Sequence, residues 1–406
     1  MFQLELPDRK PKTLAVKLSA RAEKMVKKGH PWIFSNSIEK LNKEGMPGDI
    51  AIIYERKRNE TIGVGLYDPN SPITIKMLHH RKGKKIDADF FLDRIQRAKA
   101  KRTELLETDT NAYRLLFGEN DGFPGLIADI YVDVAVVKLY SQVWLPYLET
   151  ILQQLIDVSE VETLVIRLSR KLQELPSFPI KDGQVVHGDL SDETIQFQEH
   201  GVNFSANLLK GHKTGYFLDH RHNRHKVGQL AEGKTVLDVF AYAGGFSVHA
   251  LANGATEVTS VDISHHALEV AKQNVALNET SGVHKTVEGD AFHVLQQFIR
   301  DEVTFDIVVI DPPSFAKSQK EIMVAKKKYG QLAALGSRLV AEKGMLVLAS
   351  CSSRVTAEQF FEVNAENLSK SGRSFERVNE TFHDSDHPIS FQEGAYLKCG
   401  YYKFLD

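Results

Sequence analysis

Four acidic positions and one cysteine, each read at the carboxyl end of a strand, are the residues of this 406-residue chain best placed to do chemistry. The run from Asp238 through Gly244, Gly245 and Phe246 leads from a predicted strand into a predicted helix, and its glycines would let backbone approach a ligand where the helix begins. The next strand ends in Val261-Asp262. Asp262 lies 18 residues beyond Gly244, close to the offset of roughly 20 at which an acidic side chain accepts from ribose hydroxyls. A third strand ends in Glu288-Gly289-Asp290, where a carboxylate could meet an adenine amino group. A fourth ends in Asp311-Pro312-Pro313-Ser314-Phe315, and its two prolines stiffen the chain and remove donors where a carboxylate would be held against a planar base. The following strand ends in Ala349-Ser350-Cys351-Ser352-Ser353. In a sheet of the usual order this thiol neighbours Asp311 and is a candidate nucleophile, although a packed core position is the commoner fate of a lone cysteine. Cys399 reads as an ordinary strand position.

The elements that must position these residues alternate strictly after Tyr216. Strands are expected at Thr235–Phe240, Glu257–Asp262, Lys285–Glu288, Phe305–Asp311, Met345–Ser350 and Ala395–Phe404. Helices are expected at Phe246–Ala252, His266–Leu277, Ala291–Arg300, Lys320–Leu339 and Ala357–Ser369. Such alternation predicts an α/β fold, a mostly parallel Rossmann-like sheet covered on both faces, with ligands at the carboxyl ends of the strands. A doubly wound sheet whose loops are merely polar is the functionless alternative. A dinucleotide dehydrogenase is disfavoured, because the compact G-x-G-x-x-G is absent and Asp-Pro-Pro has no part in its chemistry. The combination resembles the class I S-adenosylmethionine methyltransferases.

Upstream the texture differs. Short β-branched runs at Thr13–Leu18, Asp49–Tyr54, Thr61–Tyr67 and Ile73–Met77, separated by Gly and Pro turns, predict a small β-barrel or sandwich over residues 1–80. Residues 81–108 are basic, with a connecting helix over Ala88–Leu106, and 109–206 reads as a middle α+β domain. Its strands are expected at Leu126–Leu139, Thr163–Leu168, Gln184–His187 and Thr194–Glu199, around a helix at Leu145–Ile156. The net charge is −2, but residues 1–90 hold 18 Lys and Arg against 11 Asp and Glu, leaving the remainder acidic. A basic module on an acidic chain fits phosphate binding or a solvated lysine-rich face equally well on charge alone. With 42% hydrophobic and 26% charged residues the composition is that of a globular protein. No apolar run is long enough for a membrane span and no secretion signal is read. Two cysteines form no disulfide framework, so a cytoplasmic location is expected.

Several motifs together resemble one family, the bacterial large-subunit ribosomal RNA cytosine-5 methyltransferases that carry an N-terminal PUA domain. They are Gly29-His30-Pro31-Trp32-Ile33-Phe34-Ser35, Tyr67-Asp68-Pro69, the run Phe117–Leu126, the run Lys213–Arg221, Asp-Pro-Pro, Ser-Cys-Ser and Asp386-His387-Pro388. The resemblance implies a PUA-like RNA-binding barrel over 1–80 and a methyltransferase domain over 207–406. It implies S-adenosylmethionine as cofactor, bound by Lys213, Phe217, Asp219, Arg221, Asp238, Phe240, Ala241, Gly244, Gly245, Asp262, Ile263, Asp290, Ala291 and Asp311. Cys351 would be the nucleophile and Asp311 the carboxylate that anchors the base. Large-subunit ribosomal RNA is the expected partner, a homodimer is compatible with this reading, and no membrane is involved. Ser314 stands where the eukaryotic-type RNA cytosine-5 enzymes place a second cysteine, so turnover here must proceed without that thiol.

Two other functions fit parts of the pattern. An amino- or ring-nitrogen methyltransferase would use Asp-Pro-Pro without a thiol, and a non-catalytic RNA-binding assembly protein would use the barrel alone. His220, His222 and His225 lie close in sequence but lack a second ligand cluster, so no metal is expected. Lys326-Lys327-Lys328 reads as a solvated helix face.

Overall fold

Leu14, Val16 and Leu18 are buried at alternate positions of the strand Thr13–Leu18, the period-two signature of a half-buried strand. The computed structural model describes residues 2–406, and in it this strand belongs to a six-stranded sheet. The spatial order is Trp32–Phe34, Ile73–His80, Thr61–Tyr67, Ile50–Tyr54, Thr13–Leu18 and Ile38–Leu41. Gly65 is required there, since a Cβ would stand 2.6 Å from the Lys76 carbonyl oxygen. Three elements were not expected: the helix Ala20–Lys27, capped by Ser19, and the strands Trp32–Phe34 and Ile38–Leu41. Helix and strands are too short, and the helix too rich in charge, to carry a hydrophobic period.

A second, five-stranded sheet runs in the order Gln184–His187, Thr163–Leu168, Val134–Leu139, Leu126–Tyr131 and Ala112–Phe117. The single strand expected over Leu126–Leu139 is instead a hairpin that turns at Val132, whose φ is 58°. Val132 is exposed, and an apolar residue in a two-residue turn conceals the break from pattern reading. The expected helix Ala88–Leu106 ends at Ala100 and resumes as one turn at Thr103–Leu106. Between them Arg102 buries its guanidinium against Asp121. The helix placed at Leu145–Ile156 begins only at Leu148, after a 3-10 stretch that contains Pro146. A hairpin, Thr194–Glu199 with Val202–Asn207, turns at His200 and Gly201, both left-handed as a two-residue hairpin loop demands.

The two sheets share one core. Leu66 and Leu78 of the first cluster with Phe91, Leu126 and Trp144 around the second. Asp68 accepts from both Lys76 Nζ and Ser141 Oγ at 2.7 Å, and Tyr147 donates to the Gly48 carbonyl at 2.8 Å. The residues up to Phe197, with Ala206–Leu218 and Ser385–Phe391, form one compact unit. The division therefore falls differently from the sequence boundary at 206/207, because the segment through Leu218 packs in this first unit.

The second unit comprises Gln198–Ser205, Asp219–Asp384 and Gln392–Asp406. Its strands are β1 Thr235–Val239, β2 Glu257–Asp262, β3 Val283–Glu288, β4 Phe305–Ile310, β5 Val340–Ser350, β6 Phe375–Thr381 and β7 Lys398–Phe404. They lie in the order β3-β2-β1-β4-β5-β7-β6. The first five are parallel, and β7 runs antiparallel to both β5 and β6. Neighbouring residues of one strand feed two different cores. Leu237, Val308 and Leu346 pack with Leu332 and Phe360, whereas Val236, Val309 and Val347 pack with Val227 and Leu251. A sheet buried on both faces in this way is the expected α/β architecture. The helices are α1 Arg221–Leu230, α2 Gly245–Ala252, α3 His265–Ala276, α4 Ala291–Arg300, α5 Ile322–Leu339 and α6 Ala357–Ser369. Strand β6 was not expected because it is an edge strand with no buried residue, and α1 because RHNRHKVGQL is almost wholly polar. The last strand starts at Lys398 rather than Ala395. No helix among the described residues is long and apolar enough to cross a membrane.

Candidate active site

The strand order reverses at β1, with β2 on one side and β4 on the other, and that switch point is where an open α/β sheet binds its ligand. The loop leaving β1 is strained: Phe240, Tyr242 and Gly244 have φ of 66°, 49° and 75°. Left-handed non-glycine residues cost about 1–3 kcal/mol each and persist where surrounding structure over-determines them. Here the backbone N–H groups of Phe240 and Ala241 both donate to the Val261 carbonyl, at 2.9 and 3.0 Å. Gly244 is needed for packing against α3, since its Cβ would come within 2.8 Å of the Ala271 Cβ. The close approach that Gly244 permits in the structure is to a helix.

Asp238 lies beneath this loop, buried. Its Oδ2 accepts from the Ser247 backbone N–H at 3.1 Å and from the Ser247 hydroxyl at 2.7 Å, while Oδ1 has no partner. Burial pushes its carboxyl up to about 7, against the pull of the Ser247 bonds and with help from Asp311 and Asp262. Asp262, half-buried, accepts from the backbone N–H of Tyr242 and of Ser264, each at 2.9 Å, one per oxygen. Each oxygen keeps a second lone pair. Asp290 caps α4 by accepting from the His293 N–H at 3.2 Å and is exposed; Ala291 beside it is buried, and Ile263 is 72% exposed. The β2 and β3 ends are tied together by the Gly289 N–H donating to the Asp262 carbonyl at 3.0 Å.

On the other side of β1, the Asp311 N–H donates to the Val239 carbonyl at 3.3 Å. The Asp311 carboxylate stands 3.4 Å from His220 Nε2, and the same nitrogen lies 3.5 Å from Cys351 Sγ. One donor atom from each of the three residues falls within 4.8 Å of the others. His222 and His225 are not part of this group. Burial pushes the Cys351 thiol well above its ordinary range, and the carboxylates of Asp311 and Asp219 push it further. Burial disfavours the charged form of His220, but Asp311 and Asp219 outweigh it, so that its pKa is raised. Lys398 is buried beside the cysteine loop and donates to the carbonyls of Ser352, Val355 and Tyr396; burial lowers it to about 8. Cys399 is wholly buried in β7, as its strand reading implies.

The predicted residues of the 213–221 segment divide between the units. Lys213 and Phe217 belong to the first unit, where the Lys213 carbonyl accepts from Lys138 Nζ at 2.9 Å. Asp219 and Arg221 belong to the second. Asp219 accepts from the Tyr396 hydroxyl at 2.8 Å, and Arg221 is fully buried with Nη1 3.0 Å from Asp384 Oδ2. His220, between them, was missed as a chemical group. The sequence signal for it was present, but the residue was weighed only with His222 and His225 as a metal ligand. Asn223, Tyr396 and Lys398 carried no sequence signal at all.

The chain matches the S-adenosylmethionine-dependent methyltransferase family over residues 123–393 and a PUA-like domain over residues 16–80. It is 41% identical to a ribosomal RNA large subunit methyltransferase of Deinococcus radiodurans, over 95% of this chain and 96% of that one. The chain belongs to the S-adenosylmethionine-dependent methyltransferase family. A second relative, ribosomal RNA large subunit methyltransferase I of Shewanella frigidimarina, is 34% identical over 95% of the methyltransferase described here and 98% of its own length. The fold matches a candidate SAM-dependent methyltransferase from Streptococcus mutans with a TM-score of 0.80 at 24% identity, covering 96% of this chain and 99% of that one. S-adenosylmethionine is the cofactor of this methyltransferase, and the residues present fit it. Asp238 offers a buried carboxylate oxygen without a partner, the counterpart a cationic cofactor requires.

Proposed function

We propose that this methyltransferase methylates C5 of a cytosine in large-subunit ribosomal RNA, in the cytoplasm, with Cys351 as nucleophile and Asp311 as the carboxylate that anchors the base. The observation that carries the reading is the juxtaposition of a thiol and a carboxylate, with an imidazole between them, on adjacent strand ends at the switch-point edge of the sheet. The names of the two relatives support ribosomal RNA as the substrate. The PUA-like match over the basic N-terminal module supports an RNA grip.

Carbon 5 of an aromatic pyrimidine is not a nucleophile. A thiolate that adds at C6 breaks the aromaticity and turns C5 into an enamine carbon able to accept a methyl group. Asp311, held on the stiff Asp-Pro-Pro turn, would accept from the amino group of the base and, protonated or sharing a proton with N3, would stabilise the charge that develops there. The target base must first leave any stack, which costs a few kcal/mol and least in unpaired RNA. The cofactor supplies the methyl group as an electrophile on its sulfonium. Asp238 Oδ1 would hold its ammonium group, Phe240, Ala241, Gly244 and Gly245 its methionine portion, and the open lone pairs of Asp262 its ribose hydroxyls. Asp290, Ala291 and Ile263 would surround its adenine, with Asp219 and Arg221 supporting the site from the start of α1.

RNA containing 5-fluorocytosine provides the test, because fluorine at C5 blocks elimination and traps the sulfur adduct. A covalent protein–RNA species that requires both cofactor and Cys351 is expected. Absence of that species on an RNA the enzyme demonstrably methylates, together with full activity of Cys351→Ala, would replace carbon methylation by nitrogen methylation.

A further inference from the structure

The mechanism needs a proton acceptor that neither the sequence nor the reading above supplies. Cys351 is half-buried and faces carboxylates, and burial and both carboxylates push its thiol up, so little of it would be thiolate at neutral pH if the thiol were left to itself. Nε2 of His220 lies 3.5 Å from its sulfur. Resting on the cytosine-C5 reading, we propose that His220 is the general base of this site: Nε2 takes the thiol proton of Cys351 as sulfur adds to C6 and returns it when sulfur leaves.

The other side of the ring supports this role. Asn223 Nδ2 lies 3.2 Å from His220 Nδ1, and Asn223 Oδ1 accepts from the Thr381 and Tyr401 hydroxyls at 2.5 and 2.8 Å. Turned over by 180°, an exchange of isoelectronic oxygen and nitrogen, the amide would give both of its protons to the hydroxyls and its oxygen would accept from Nδ1–H. The hydroxyls would then be free to donate to the sulfur of Cys399, whose thiol both of them influence. In that orientation the proton sits on Nδ1 and the Nε2 lone pair faces Cys351. Asn223 is thus a positioning residue, fixing the tautomer as the partner of a ring nitrogen commonly does.

The surrounding charges assign the proton to the imidazole. Asp311, Asp219, Arg224 and His222 face His220, and the two carboxylates prevail, favouring imidazolium and opposing thiolate. Arg224 is committed to Glu199, with contacts of 2.7 and 2.6 Å. Lys398 is the other cation beside the thiol, and its three protons are matched by three carbonyls.

The proton and electron changes balance. In the addition the S–H bond breaks, its proton goes to Nε2, the sulfur pair forms the Sγ–C6 bond and the C5=C6 π pair moves to C5. That C5 pair then takes the methyl group, whose former bonding pair would stay on the cofactor's sulfur, and in the elimination the C5–H pair restores the double bond, the Sγ–C6 pair returns to sulfur and takes its proton back from Nε2, and the C5 proton goes to water. His220 is already protonated at that stage and so does not accept the C5 proton.

The test is the rate of Cys351 alkylation by iodoacetamide in the full-length protein from pH 5.5 to 9.5, with the site identified by peptide mass. A lone thiol gives a tenfold rise per pH unit. The wild type is expected to show a plateau on the acid side of thiol ionisation, governed by His220. His220→Gln should abolish the plateau and lower kcat by about 10²-fold or more, with the cofactor Kd from calorimetry changed less than about twofold. Retention of the plateau and of kcat in His220→Gln would overturn the proposal. Should that variant not fold, the wild-type profile decides, because an unbroken tenfold rise per unit excludes an assisted thiol. A 5-fluorocytosine adduct without the plateau removes the role of His220 alone. The plateau without any adduct on a verified RNA upholds the proton transfer and removes the C6 addition, and with it the cytosine-C5 reading.

Discussion

Arg102 with Asp121 in the first unit, and Asp238 with Asp311 in the second, are all ionisable groups at deep or strand-end positions, yet their surroundings differ in kind. All five donors of Arg102 are used. Nε donates to the Arg114 carbonyl, Nη1 to the Ala98 carbonyl and Asp121 Oδ1, and Nη2 to Asp121 Oδ2 and the Asp386 carbonyl. Asp121 accepts in addition from Lys101 Nζ and the Phe117 N–H, each at 2.9 Å. Although burial opposes its charge, Arg102 and Lys101 hold its pKa below the ordinary value. Arg114 and Asp129 repeat the pattern as a two-pronged pair at 2.8 Å, with Thr214 as a third donor. Asp238 by contrast has two donors on one oxygen and none on the other, and its carboxyl is pushed up to about 7. A saturated network stabilises a fold by making every buried charge expensive to disturb, whereas an unsaturated one leaves a place for a ligand.

The comparison breaks most visibly if a saturated partner is removed. Asp121→Ala would leave a buried guanidinium without its counter-charge, at a cost of about 3–5 kcal/mol. The denaturation midpoint should fall accordingly, and the folded remainder should bind cofactor with unchanged affinity; a loss under about 1 kcal/mol would mean that the network is not structural. Asp311→Asn should behave in the opposite way. Loss of a charge-stabilising group at the reacting base costs about 10²- to 10³-fold in kcat, while the melting temperature should hold or rise. A kcat within about threefold of wild type would separate Asp311 from the chemistry.

Where the physics is local and periodic, the sequence was a sufficient guide. Runs such as Phe305–Ile310 are apolar on both faces, which only a central parallel strand can bury, and the turns after them carry the polar residues. Asp311 and Cys351 could be paired in advance because strands β4 and β5 are neighbours in register. His220 was invisible as a neighbour of the thiol and the carboxylate, since its partners are fixed by tertiary packing across 91 residues to Asp311 and 131 to Cys351. The polar helix α1 and edge strand β6 escaped for the complementary reason, having too little apolar surface to leave a period. Lys213 was grouped with Arg221 by the family resemblance, and the chain passes from one unit to the other at Leu218–Asp219, between them.

The comparison sharpens at Asp238, where an open carboxylate oxygen should trade stability for affinity. Asp238→Asn is expected to weaken cofactor binding by about 10- to 100-fold, or about 1.4–2.8 kcal/mol. The sign of the pH dependence follows from the raised pKa. An aspartate titrating near 7 in the fold and near 4 when unfolded binds its proton more tightly in the native state. Its contribution to stability is complete below about pH 4 and is lost as pH rises through about 7. The cofactor-free wild type should therefore lose stability relative to Asp238→Asn between about pH 4 and 7 and level off above it. Cofactor affinity should run the other way, because only the carboxylate can pair with an ammonium group. Below pH 7 each unit of acidification should weaken wild-type binding about tenfold, with about one proton released per cofactor bound, and above it the affinity should level off. Calorimetry in buffers of different ionisation enthalpy counts that proton. If Asp238→Asn kept the same break near pH 7, the titrating group would be another residue and the open oxygen of Asp238 would not be the seat of the cofactor's charge.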